Sequence, residues 1–143
     1  MNECKILIEG RPITKKNSPS FCSRNRKLLP SRQYQEYAKK AFWQIRSQYY
    51  GDPIRAAVHV KALYYMPNRA GWPDLLGLEQ ATADILQDSG VIVDDGFIES
   101  WDGSRIDGID KSWPRAEITI RTMGKESKLG QMHPKLKRGN SNV

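Results

Sequence analysis

Asp74, Asp94 and Asp95 are the residues of this sequence best placed to do chemistry, because they belong to a dense run of carboxylates. From Asp74 to Asp110 stand ten of the sixteen acidic side chains, among them Glu79, Asp84, Asp102, Asp107 and Asp110, with Arg105 as the only cation in the stretch. The other 22 of the 23 Lys and Arg residues lie outside it, and the chain as a whole carries +7. Dispersed cations suit a polyanionic partner, whereas carboxylates gathered beside Leu, Ile and Val call for a bound cation. Carboxylates brought to ~4 Å repel by roughly 4 kcal/mol at an effective dielectric near 20, so a converging set shares protons or binds a positive ion. Oxygen ligands without thiolate or imidazole select a hard ion, Mg²⁺ or Mn²⁺. Such an ion polarises a phosphodiester, activates water and stabilises the leaving oxygen. Phosphodiester hydrolysis on nucleic acid is the reaction these residues suggest. Taken singly, Asp74 also reads as a helix N-cap and Asp94-Asp95-Gly96 as a tight turn.

Other chemistries are poorly provided for. Cys4 and Cys22 lack Cys-x-x-Cys spacing, and His59 and His133 are too few and too scattered for a zinc site or a Cys/His pair. No Gly-x-Ser-x-Gly elbow, P-loop or dinucleotide fingerprint occurs. At 143 residues, 38% apolar and 27% charged, the chain fits one domain with a modest core, residues 1–123. From Gly124 onward it is Lys, Gly, Ser and Asn, a basic tail over 124–143 without the means to fold on its own. No apolar run reaches the ~20 residues of a membrane span, and Met1 to Glu9 has no signal pattern, so a cytoplasmic protein is expected.

Several elements must position the carboxylates. Cys4 to Glu9 alternates as a strand with one buried face. Gly10 to Pro30 reads as a long exposed loop or loose hairpin carrying Arg11, Lys15, Lys16, Arg24, Arg26 and Lys27, a basic segment suited to DNA phosphates. Ser31 caps a helix expected to run to about Tyr50, with Tyr34, Tyr37, Ala38, Ala41, Phe42 and Ile45 as its buried stripe. Ala56 to Met66 alternates as a central strand, and Asn68 to Pro73 is a turn leading to Asp74. Asp74 caps a second helix that Gly90 stops in left-handed conformation. Phe97 to Trp101 follows Asp94-Asp95, then a Gly/Asp-rich loop holding Asp102, Arg105, Asp110 and Lys111, then a closing strand from Arg115 to Thr122. The expected architecture is α+β, a small mixed β-sheet backed by two helices in a single domain.

The string Pro73-Asp74-Leu75-Leu76-Gly77-Leu78, a helix, and Gly90-Val91-Ile92-Val93-Asp94-Asp95 resembles the central signature of the RusA family of Holliday junction resolvases. Gly10-Arg11-Pro12-Ile13-Thr14-Lys15-Lys16-Asn17 resembles the end of the family's first strand and its basic loop, and Pro114-Arg115-Ala116-Glu117-Ile118 its closing strand. The resemblance covers about Lys5 to Thr122. It implies a homodimeric, Mg²⁺-dependent endonuclease that binds four-way DNA junctions and nicks two opposed strands symmetrically. Asp74 falls on the first catalytic Asp, Asp94 and Asp95 on the later pair of which the second is the usual ligand, and Asn17 with Lys15 and Lys16 on the basic loop. Two positions depart from the pattern. The family's second Asp falls at Leu76, and its helix lysine at Gln80. Glu79, one turn from Leu76, has the reach to take the vacated ligand position, and Arg105 or Lys111 could supply the missing cation. Two alternatives stand beside this reading: a non-catalytic binder of branched DNA with the same fold, and a nuclease for flaps, other branched substrates or RNA.

Overall fold

A computed structural model describes residues 3–15, 20–22, 27–29 and 31–123. Three strands carry the core. β1 (Glu3–Glu9), β4 (Val58–Met66) and β7 (Arg115–Thr122) each alternate apolar with polar residues, and each turns the apolar set to the same side. β7 lies between the other two and is antiparallel to both, so Ile6, Ile118 and Ala62 form one buried row and Ile8, Ala116 and Tyr64 the next. On the far side of β4 two short strands follow in succession, β5 (Ile98–Ser100) and β6 (Arg105–Ile109), both parallel to it. The result is a mixed five-stranded sheet, in keeping with the expected α+β class.

α1 (Arg32–Arg46) and α2 (Leu75–Asp88) cover the apolar face of the sheet, where Ala41, Ile45, Leu78, Ile85 and Leu86 join the strand residues in one core. The Tyr64 hydroxyl binds α2 through Thr82 Oγ1 (2.7 Å) and the Leu78 carbonyl (3.2 Å), fixing the helix over the central strand. Burial pushes the Tyr64 phenol well above its ordinary range, so it stays a neutral donor. β4, α2 and β5 thus form the strand, helix and parallel strand of a crossover, which returns the chain after Asp94-Asp95 to the sheet.

Two expectations are corrected. The first helix stops at Arg46 rather than near Tyr50, because Ser47, Gln48 and Tyr49 turn their N–H groups back to Trp43 and Ile45 carbonyls. Gln44 on α1 and Gln48 in the turn that follows it each hold a residue of the β1 edge by both backbone groups: Glu9 (2.7 and 3.2 Å) and Leu7 (2.8 and 2.7 Å). The segment expected to be a Gly/Asp loop contains β6, whose Gly108 and Asp107 disguise a strand made by parallel pairing with Leu63 to Met66. Of the long basic segment, a hairpin of β2 (Ser20–Cys22) and β3 (Lys27–Leu29) is described. The second helix starts and ends as expected, with Asp74 as N-cap and Gly90 at φ +82°.

Candidate active site

Asp74 stands exposed at the start of α2, and its Oδ2 accepts the Gly77 N–H at 2.8 Å. Its position follows from the turn that precedes it: the Arg11 guanidinium grips the Ala70 and Gly71 carbonyls, which ties the end of β1 to the entry of α2. Gly77 has to be glycine for this geometry. A β-carbon there would lie 2.7 Å from Asp74 Oδ1 and 2.9 Å from the Thr14 methyl, so any larger residue would lift the carboxylate off the helix start. Thr14, buried at the root of the basic segment, therefore packs against the first turn of α2 beside Asp74.

The second carboxylate pair is docked on the same helix. Gln87 Oε1 accepts the Asp95 N–H at 2.8 Å, and Asp94 Oδ1 accepts the Gly96 N–H at 2.7 Å, opening the 3-10 turn over Asp95–Phe97. Phe97 is buried beneath it, and Ile54 bonds to the Val91 carbonyl and the Val93 N–H, so the return from α2 is fixed at both ends. Glu79 is half-buried on α2, and desolvation raises its carboxyl pKa above the ordinary glutamate value. Leu76 is 75% exposed, an apolar side chain in solvent one residue from the N-terminal carboxylate turn. Gln80 is exposed as well. Among the described residues no three His, Cys, Asp or Glu side chains are grouped so as to hold a metal ion.

Other acidic residues of the Asp74–Asp110 stretch have protein partners. Asp84 pairs with Lys15 (2.5 Å), Asp107 with Arg105 (2.6 Å) and Asp110 with Arg115 (2.8 Å). Part of the anionic concentration is thus answered by cations that converge on it in the fold, a use of carboxylates the one-dimensional charge pattern does not reveal. Lys15 also lies 5.7 Å over the Tyr34 ring, so it joins the root of the basic segment to both helices. The Tyr34 phenol is pushed up to about 12 by burial and then by Asp84 and Asp88. Arg105 lies on β6 beside Asp107, and Lys111 is exposed between β6 and β7. Lys27 opens β3, while Lys16, Asn17, Arg24, Arg26 and the 124–143 tail lie outside the described residues.

The sequence profile of the Endodeoxyribonuclease RusA family matches residues 9–121, more than three quarters of the chain. The chain belongs to the RusA family. No curated protein matches it. The RusA match runs from the last residue of β1 to β7 and so takes in both helices and both aspartate positions. No helix among the described residues is long and apolar enough to cross a membrane.

Gln87, Gly77 and Thr14 are the site residues that sequence reasoning missed. A glycine three positions after a capping Asp, and a glutamine two turns past Gln80 on the exposed side of α2, are their only sequence signals. The donor chemistry around Asp74 and Asp95 suits a hard cation, since Mg²⁺ commonly takes one or two carboxylates and completes its shell with water and substrate phosphate oxygens. Within one chain, however, the two are not brought together: Asp74 caps the N-terminus of α2, and Asp95 is held by Gln87 in the last turn of that helix, which is roughly 20 Å long.

Proposed function

We propose that this RusA-family chain is a Mg²⁺-dependent endodeoxyribonuclease that resolves Holliday junctions by paired symmetric nicks, acting as a homodimer. The observation that carries this reading is the family match over residues 9–121, which takes in Asp74 at the start of α2 and the Asp95 turn that Gln87 holds at its end. Asp74, with Glu79 on the next turn of α2, and Asp95, with Asp94 in the turn at the other end of the helix, are the proposed carboxylate ligands for Mg²⁺ or Mn²⁺. When bound, the ion neutralises phosphate charge and makes a water acidic enough to attack phosphorus. The chain's own contribution is positional: α2 holds the carboxylates, Gly77 keeps Asp74 low over the helix start, and the basic segment from Lys15 to Lys27 approaches the DNA backbone. Two active sites related by a two-fold axis suit a substrate with two equivalent strands.

A second reading is favoured by one observation. Leu76 is solvent-exposed where the resemblance implies a catalytic carboxylate, and a chain lacking that ligand can keep junction binding while losing cleavage. A labelled four-way junction incubated with Mg²⁺, Mn²⁺ or EDTA separates the two. On the nuclease reading, cleavage is metal-dependent and Asp74→Asn and Asp95→Asn each lower it at least ~10²-fold, the scale of losing a group that stabilises the transition state. Glu79→Gln follows them if Glu79 is a ligand and stays fully active if it is not. Tight junction binding with no cut in either metal establishes the binder instead, and a panel of flaps and RNA junctions tests substrate class.

A further inference from the structure

The sheet face turned away from the helices divides into two unlike halves. Toward the C-terminal end of β4 its charges are paired. Arg115 bonds Glu117 (2.7 Å) and Asp110 (2.8 Å) and lies about 4 Å over the Tyr65 and Trp113 rings, Asp107 holds Arg105 and accepts the Tyr65 hydroxyl (2.8 Å), and Trp113 Nε1 donates to Glu9. Toward the start of β4 the register places Lys5 and Lys61 on either side of Thr119, and sets Arg121 between Glu3 and His59 in the adjacent row. Lys5, Lys61 and Arg121 are exposed, and among the described residues none has a carboxylate within ion-pair distance. The Lys61 stem lies along the Gly103 backbone, where a β-carbon would come within 3.4 Å of it, so this chain is held against the sheet rather than waving free.

We propose that this half of the helix-free face is a second DNA-contact surface, on which Lys5, Lys61 and Arg121 hold consecutive backbone phosphates around the Thr119 hydroxyl. Strands ~4.8 Å apart set Lys5 and Lys61 ~10 Å from one another across β7. That span, extended by the reach of the three long side chains, covers neighbouring phosphates of one DNA strand. The patch sets three exposed cations against the single carboxylate of Glu3, opposite Arg121, a net positive surface suited to backbone docking without base reading. The run from His59 to Tyr65 places it ~20 Å along β4 from the end that leads to Asp74, a distance of about six base pairs. The Asp94-Asp95 turn returns to the sheet at this same end of β4, so the patch would hold DNA on that side of the molecule, away from Asp74. This rests on the junction-nuclease reading for the identity of the DNA, but not for the contact itself.

The test uses full-length protein carrying Lys5→Gln, Lys61→Gln and Arg121→Gln together, with Arg32→Gln and Lys39→Gln on the outer side of α1 as a control variant. Binding of a four-way junction and of a linear duplex is measured in EDTA across a salt series. Loss of three phosphate contacts lowers the slope of log K against log salt by about 2 to 3, with a much smaller change in the control, and melting is unchanged in both. A triple variant with the wild-type slope, or one no different from the control, overturns the proposal. So does a change in oligomeric state, which would make the face a protein interface. Failure of the functional reading looks different: wild-type protein would cut no junction and prefer none over duplex, while the triple variant would still lose slope on both DNAs.

Discussion

The two faces of the sheet are built from the same three strands by opposite means. On the helix-covered face Ile6, Ile118, Val60, Tyr64 and Leu86 are buried almost completely, and the only polar group among these five, the Tyr64 hydroxyl, is bonded twice to α2. On the other face stability comes from directed pairs, Arg115 with Glu117 and Asp110, Arg105 with Asp107, in positions partly open to water. Apolar burial is additive over area and tolerant of detail, whereas surface ion pairs contribute little each and depend on geometry. The comparison teaches where this protein can change cheaply: the covered face sets the fold, and the uncovered face is free to be spent on ligands.

Breaking the covered face should have the largest effect. Leu86→Ala removes a side chain with no solvent exposure and is expected to cost about 2–5 kcal/mol in denaturant unfolding; a cost under 1 kcal/mol would mean the core relaxes far more than its packing suggests. On the uncovered face, Arg115→Ala removes two ion pairs and two ring contacts at once and should lower the melting midpoint by less than half as much. A loss equal to that of Leu86→Ala would erase the distinction between the faces.

The smallest effect sharpens the comparison rather than breaking it. The Tyr65 hydroxyl first, and then Arg105, hold the Asp107 carboxyl below its ordinary value of 3.8. An acid whose pKa is depressed by folding contributes stability that is present above 3.8 and is lost as the pH falls through the lower, folded value. Tyr65→Phe should therefore move the Asp107 titration back toward 3.8, read by carbon-detected NMR, and narrow the acid-side stability loss, because the contribution it removes is the one present at neutrality and already absent at strongly acid pH. An unmoved titration would show that Arg105 alone sets it.

Strong alternation made β1, β4 and β7 legible in the sequence, and a capping Asp with a left-handed Gly90 made α2 legible, because each signal is local. β6 was not legible: Gly108 and Asp107 look like turn residues, and what makes them a strand is pairing with Leu63 to Met66, some forty residues earlier. At the site, the helix-start placement of Asp74 could be read from its neighbours. The partition of the other carboxylates could not. Asp84 finds Lys15 and Asp110 finds Arg115 only after the sheet order is set, so a charge count along the chain overstates how many are spare for a metal. Gln87's hold on the Asp95 turn is another contact that folding alone creates.

The paired amides of Gln44 and Gln48 have a consequence for assembly. Set on α1 and in the turn that follows it, they present to Leu7 and Glu9 the same donor and acceptor pattern that a neighbouring strand would. A margin that would otherwise recruit further chains by strand addition is thus occupied by the molecule's own side chains. While both amides are in place this stretch offers no open edge to a further strand, and a chain in which both are replaced by alanine would regain an unsealed border at which copies stack.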